Sequence, residues 1–96
     1  MGTDNMPQIV FTELAQEDLK AIRKYICCNN FSAAQEVVKH ILECIENLNK
    51  NLAIGRAGRV LSTRELIISK YPYIVPYQVR GDYIYILRVM HSSRKW

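Results

Sequence analysis

The feature that most constrains the fold is a two-residue break between two β-prone segments near the C-terminus. Residues 73–80 read "YIVPYQVR" and residues 83–91 read "YIYILRVMH", with Gly81 and Asp82 between them. β-Branched and aromatic residues dominate both segments, and a glycine in the first central position suits a type II′ turn. The sequence therefore predicts an antiparallel hairpin in which the residues flanking the turn, Arg80 and Tyr83, form a pair.

Continuing that register divides the hairpin into two faces. One face is mostly apolar and is expected to meet the rest of the core: Val79 opposite Ile84, Tyr77 opposite Ile86, and Tyr73 opposite Met90. The other face is mixed and is expected to stay partly open as a binding surface: Arg80, Gln78, Tyr83, Tyr85, Leu87, Val89 and His91. Arg88 falls on the apolar face, and Pro76 cannot donate a backbone hydrogen bond. A β-bulge is therefore predicted in this hairpin.

The N-terminal half predicts a strand and two amphipathic helices. Residues 8–12, "QIVFT", indicate a short strand, and Thr12 can cap a helix that starts at Glu13 and ends near Asn29 and Asn30. Ser32 and Gln35 fit a capping box that opens the second helix. Apolar residues recur at helical spacing in both segments: Ala15, Leu19, Ile22 and Ile26, then Ala34, Val37, Ile41, Ile45 and Leu48.

A fourth strand, "TRELIIS" at residues 63–69, follows a loop that contains Gly55, Arg56, Gly58 and Arg59. The element order is therefore β-α-α-β-β-β. We expect an α+β fold in which a helical hairpin packs on one face of a mainly antiparallel four-stranded sheet.

Composition adds a few limits. The 96 residues carry a formal net charge of +4, which suits an anionic partner such as nucleic acid or an acidic protein segment. The three cysteines lack the spacing of a zinc site or a disulfide framework, and no cofactor is expected. Without an apolar span or a signal-peptide core, a cytoplasmic protein is expected. Residues 1–5 are expected to be a tag or disordered, and residues 6–96 a single domain.

The C-terminal stretch "TRELIISKYPYIVPYQVRGDYIYILRVMHSSRKW" resembles toxins of the RelE/ParE superfamily. The matching features are the Arg-Glu-Leu strand, the Tyr-Pro-Tyr turn, the Gly-Asp hairpin and the closing Ile-Leu-Arg-Val-x-His-x-x-Arg. The segments "TELAQEDLKAIRKYI" and "AAQEVVKHILECIENL" also resemble it, as does the Gly55-Arg56 loop. The resemblance extends from Met6 to the end of the chain and depends on the combination of these features in this order.

This resemblance implies the toxin of a type II toxin–antitoxin system, possessing a ParD-like or RelB-like antitoxin partner and contacting operator DNA only through that antitoxin. ParE-like members, often associated with plasmid stabilisation, poison DNA gyrase. RelE-like members cleave mRNA on the ribosome without a metal. A domain that has lost its toxicity and serves in a repressor complex is a third hypothesis.

For RNA cleavage, the candidate catalytic residues are His91 and Arg94, because an imidazole can move a proton near neutral pH and a cation can stabilise the phosphorane charge. The wider set of candidate contacts to the target or to the antitoxin is Arg56, Arg59, Arg64, Arg80, Tyr83, Tyr85, Arg88, Lys95 and Trp96. The stretch "YIV" at the start of the middle strand has no cation, and the loop before "TRELIIS" has no carboxylate. These two absences favour the gyrase-directed mechanism.

Overall fold

The helices and strands form in the predicted order, with two additional short strands. The computed structural model describes residues 8–27, 31–49, 56–57 and 62–93. The elements are β1 (Gln8–Phe11), α1 (Glu13–Cys27), α2 (Phe31–Glu46), a 3₁₀ turn (Asn47–Asn49), β2 (Arg56–Ala57), β3 (Arg64–Ile68), β4 (Tyr73–Arg80), β5 (Tyr83–Ile86) and β6 (Met90–His91).

The strands form one mixed sheet in the order β1-β5-β4-β3-β2, and β6 also pairs with β4. β1 runs parallel to β5, and the other pairs are antiparallel. The α+β class and the helical hairpin on one face are confirmed. The sheet has six strands instead of four because β2 forms within the predicted loop and the last predicted strand divides into β5 and β6.

The core lies between the helical hairpin and one face of the sheet. Its buried side chains come from both helices and from the strands: Ala15, Val37, Ile41, Ile45, Leu48, Leu66, Ile68, Val75, Tyr77, Ile84, Ile86 and Val89. Leu19 and Ile22 pack against this core, so the apolar stripes predicted for the helices face the sheet, apart from Ile26, whose side chain lies outside what the structure describes.

Thr12 joins the start of α1 to the end of β5. Its hydroxyl oxygen accepts a hydrogen bond from the backbone N–H of Ala15 at 3.2 Å, which confirms the predicted N-cap. The same hydroxyl lies 3.0 Å from the carbonyl oxygens of Ile86 and Leu87, to which it can donate. The helix therefore starts at a fixed point on the sheet.

The predicted hairpin register is confirmed from the turn as far as the pair of Tyr77 and Ile86. Gly81 has a φ of +57°, as the first central residue of a type II′ turn requires. Beyond Ile86, residues 87–89 lie opposite only residues 75–76, so the hairpin contains the predicted bulge.

The bulge changes which face the last residues occupy. His91 pairs with Tyr73, and Met90 pairs with Ile74, so the predicted pairing of Tyr73 with Met90 was wrong. One extra residue on one strand moves every following side chain to the opposite face. His91 therefore lies on the helix-bearing side of the sheet, and the prediction that it shares a face with Arg80, Tyr83 and Tyr85 was also wrong.

The sheet face away from the helices is open only in part. Around its middle, Glu65, Ile74 and Met90 are 2%, 7% and 5% exposed. Arg80 and Tyr83, at the hairpin end, are exposed. Among the described residues of the hairpin, the predicted open surface therefore exists only at the end near the turn.

None of the described helices is long and apolar enough to cross a membrane.

The turn gives a first prediction. Gly81→Ala should lower the free energy of unfolding by about 1–2 kcal/mol, because an L-residue resists a positive φ. A Cβ at this position would meet no atom within 4 Å, so the cost comes from the backbone alone.

Urea denaturation measures this loss. Asp82→Ala in the same turn is the control and should change stability by less than about 0.5 kcal/mol, since its side chain is exposed. Equal stability of Gly81→Ala and the wild type would contradict the turn geometry.

Candidate functional site

A groove of about 550 Å³ lies between α1 and the strands that end in His91. One wall comes from successive turns of α1 and the other from the start of β4 and the chain around β6. The lining residues are Asp18, Ala21, Ile22, Tyr25, Tyr73, Arg88, Val89, Met90, His91 and Ser93.

Asp18 connects the two walls of the groove. Its carboxylate accepts hydrogen bonds from the Nε and Nη2 atoms of Arg88 at 2.8 and 3.0 Å, and from the backbone N–H of Val89 at 2.9 Å. A two-point contact between a guanidinium and a carboxylate restricts orientation as well as distance. Asp18 therefore fixes the backbone of the bulge and occupies one edge of the Arg88 guanidinium.

The pKa of Arg88 is raised, chiefly by its hydrogen bonds with Asp18. The raised pKa favours the charged form of the Arg88 guanidinium. Its charge is already paired within the chain, which leaves less positive potential for an outside anion.

His91 is held by its own strand end and by Tyr73. The two rings meet edge to face, with centroids 5.7 Å apart. The backbone N–H of Ser93 donates to His91 Nδ1 at 3.2 Å, and the hydroxyl of Ser93 lies 2.8 Å from the same atom. Because Nδ1 accepts the backbone hydrogen bond, the neutral imidazole carries its proton on Nε2.

Two tyrosines add hydroxyl groups to the groove. The pKa of Tyr73 is raised by burial and secondarily by the nearby Tyr25, so its hydroxyl remains protonated and can donate. Tyr25 is 75% exposed on α1. The groove therefore presents tyrosine hydroxyls and a His91 Nε2–H, all of which can donate to an acceptor atom.

The predicted contact residues do not form a single cluster. Arg88 and His91 line the groove, whereas Arg80, Tyr83 and Tyr85 lie on the opposite sheet face. There the Tyr83 and Tyr85 rings lie 6.0 Å apart with an interplanar angle of 34°. Arg64 is exposed on β3 and pairs with Tyr77 in the ladder.

Five of the predicted positions lie outside what the structure describes. These are the Arg56 side chain, Arg59, Arg94, Lys95 and Trp96. Their proposed contacts stay predictions, including the pairing of Arg94 with His91 in catalysis.

Sequence reasoning missed four polar residues of the groove: Asp18, Tyr25, Tyr73 and Ser93. Asp18 lies in the first half of α1, and nothing in its sequence neighbourhood indicates a partner 70 residues away. The unexpected position of Arg88 on the apolar face was the one available signal, because a buried cation requires a carboxylate nearby.

Within the described ranges, no group of three or more His, Cys, Asp or Glu side chains is arranged to hold a metal ion.

Comparisons with known proteins define the class. A family model described as the ParE toxin of the type II toxin–antitoxin system parDE matches residues 9–96. The chain is 39% identical over 89 residues to the putative toxin Y4kP of Sinorhizobium fredii, covering 93% of this chain and 92% of that protein. It is 33% identical over 89 residues to toxin RelE2 of Caulobacter vibrioides, covering 93% of this chain and 99% of that protein.

Solved structures agree with this class. A chain of the chromosomal ParDE system from P. aeruginosa superposes with a TM-score of 0.82 at 30% identity, covering 92% of this chain and 98% of that one. A chain of the Staphylococcus aureus YoeB dimer shares the fold at 20% identity, with a TM-score of 0.63. The match covers 90% of this chain and 97% of that one. The fold and the sequence together define a toxin of a type II toxin–antitoxin system. The chain belongs to the ParE toxin family, within the RelE/ParE superfamily.

The contacts of Asp18 give a second prediction. Asp18→Asn should lower the free energy of unfolding by about 1–2 kcal/mol, because a neutral amide cannot match the charged hydrogen bonds and the pair is partly exposed. Each kcal/mol of lost stability should lower the melting temperature by roughly 4–8 °C.

Thermal unfolding followed by circular dichroism measures the change. Glu17→Gln, at the adjacent exposed carboxylate, is the matched control and should shift the midpoint by less than a third as much. Equal midpoints for the two variants would show that the contact contributes nothing to the fold.

Proposed function

We propose that this toxin inhibits DNA gyrase through protein contacts and is neutralised by a cognate antitoxin. The observation that carries the proposal is the charge state of the groove around His91. Arg88 is the cation among the groove's described lining residues, and Asp18 already pairs with it.

Metal-free RNA cleavage needs more than this groove supplies. The 2′-hydroxyl requires a base, the leaving oxygen requires an acid, and the phosphorane requires cations. His91 can serve as the acid or the base, but Arg88 offers only the edges of its guanidinium that Asp18 leaves free. The start of β4 adds Tyr73, Ile74 and Val75, none of which is charged. The chemistry therefore favours a toxin that acts by binding.

The surface available for binding gyrase is the hairpin end of the open face. Arg80, Tyr83 and Tyr85 lie together there, and a cation beside two tyrosines is a typical combination in protein interfaces. Contact with an acidic protein surface also suits the net charge of +4.

The antitoxin partner follows from the similarity to the P. aeruginosa ParDE system. In this proposal, the antitoxin covers the toxin's target-binding surface, and operator DNA is contacted through the antitoxin. A cytoplasmic location follows from the location of gyrase.

Ribosome-dependent mRNA cleavage is the alternative function. The exposed His91 favours it, with Nε2–H available and Tyr73 beside the ring. In this case, Arg94 supplies a cation in addition to Arg88, whose charge Asp18 already pairs.

Expression of the chain without its antitoxin gives a third prediction. Under the gyrase proposal, cells should stop growing, accumulate double-strand DNA breaks and induce the SOS response, with intact transcripts. Purified protein should also inhibit supercoiling by gyrase in the absence of ribosomes. Transcript mapping and a plasmid supercoiling assay measure these outcomes.

Two variants separate the alternatives. His91→Ala and Arg94→Ala should leave growth arrest in place if gyrase is the target, and each should restore growth if the toxin cleaves RNA. Codon-dependent mRNA cleavage without DNA damage would overturn the gyrase proposal. Normal growth with an intact, antitoxin-bound chain would instead indicate a repressor subunit.

A further inference from the structure

His40 and Cys44 form a pair of metal-ligating side chains on α2, and neither of them lines the groove around His91. The two residues are four positions apart, so their side chains project from the same face of the helix. The Sγ atom of Cys44 lies 3.5 Å from the Nε2 atom of His40. Both residues are half-buried, so solvent still reaches them. The proposed function gives this pair no role.

The distance between the two atoms suits a shared metal ion. A tetrahedral zinc ion binds sulfur at about 2.3 Å and nitrogen at about 2.0 Å, and an angle of about 109° then separates the two ligand atoms by about 3.5 Å. The chain holds the sulfur of Cys44 and the nitrogen of His40 at that separation. Helical zinc sites also place two ligands four residues apart. The pair therefore needs little rearrangement to bind an ion.

Two separate elements hold the pair in place. Cys44 packs against the hydrophobic core through α2. The His40 ring meets the Tyr71 ring edge to face, with centroids 5.5 Å apart and an interplanar angle of 75°. Tyr71 belongs to the turn between β3 and β4 and also packs against the core. Ligands that are fixed by packing before the ion arrives lose less freedom when they bind it.

The charge around Cys44 determines what binding requires. Burial, and secondarily the carboxylate of Glu43, raise the pKa of the Cys44 thiol. The thiol is therefore protonated and can share a hydrogen bond with His40. A metal ion has to replace that proton: the S–H bond breaks, a sulfur–metal bond forms, and the proton passes to solvent. The negative charge of Glu43, which disfavours a bare thiolate, attracts a cation.

The two ligand atoms select a class of metal. A thiolate and an imidazole suit a borderline-soft divalent ion such as Zn²⁺, whereas Mg²⁺ and Ca²⁺ prefer oxygen ligands. The spacing of the cysteines did not indicate this site, because only one cysteine takes part in it. Among the described residues no third histidine, cysteine or carboxylate joins the pair. Water therefore has to complete the coordination of the ion.

We propose that His40 and Cys44 bind one Zn²⁺ ion through the imidazole Nε2 and the deprotonated sulfur, with water at the remaining positions. The site is separate from the groove and from the hairpin end. It does not depend on which target the toxin inhibits.

Calorimetric titration with Zn²⁺ tests the two ligands. The parent chain for this test carries Cys27→Ser and Cys28→Ser, because these adjacent thiols can bind metal themselves. In that parent, His40→Ala and Cys44→Ser should each weaken Zn²⁺ binding at least about tenfold. His91→Ala removes the other histidine of the chain and is the matched control, with unchanged affinity expected. Circular dichroism verifies that each variant folds.

Co²⁺, used as a coloured substitute for Zn²⁺, gives a direct spectroscopic readout. The parent should show a thiolate-to-metal charge-transfer band in the near ultraviolet, and Cys44→Ser should lack it. In weakly buffered solution, binding should release one proton per ion from the parent and none from Cys44→Ser. A role of Cys44 in packing alone would produce neither the band nor the proton.

Each result supports or overturns the site. Equal Zn²⁺ affinities of the parent, His40→Ala and Cys44→Ser, without a charge-transfer band, would overturn it. Lost affinity in His91→Ala with unchanged affinity in His40→Ala would place the ion in the groove instead. One ion per two chains, lost in both ligand variants, would replace the single-chain site by one shared between two copies. The gyrase proposal stands or falls separately, on the growth and supercoiling assays.

Discussion

The interaction on which the site depends is the contact of Asp18 with residues 88–89. One carboxylate on α1 accepts two hydrogen bonds from the Arg88 guanidinium and one from the Val89 backbone. This contact holds the bulge against the helix. The bulge in turn moves His91 to the helix-bearing side, beside Tyr73. A strand without the extra residue would place His91 on the opposite face and leave the groove without its imidazole.

This arrangement divides the molecule into surfaces with different chemistry. The groove presents neutral hydrogen-bond donors and a guanidinium whose charge is already paired. The hairpin end of the open face presents Arg80 with Tyr83 and Tyr85. The first surface has the acid–base group but little free positive charge, which is why the proposed function relies on binding. The second surface is the one that the proposal assigns to contact with the target.

The sequence predicted those features that depend on neighbouring residues. The turn at Gly81, the cap at Thr12 and the apolar stripes of the helices all follow from local patterns. The bulge was also predicted, because Arg88 and Pro76 do not fit a regular ladder. Its consequence for His91 was missed, since the position of an extra residue depends on packing against α1. Asp18 and Tyr73 could not be assigned to a groove because their partners are distant in the chain. For the same reason, the sequence indicated which residues could take part in the site but did not show which of them lie together.

Proton NMR of the folded chain tests the central claim most directly. If the bulge has the geometry described, nuclear Overhauser contacts should connect the His91 ring with the Tyr73 ring, and backbone contacts should pair residue 91 with residue 73. Substituting Asn for Asp18 should weaken these contacts while preserving those between Tyr77 and Ile86. Backbone contacts that pair Tyr73 with Met90, together with contacts from the His91 ring to the open face, would contradict the account.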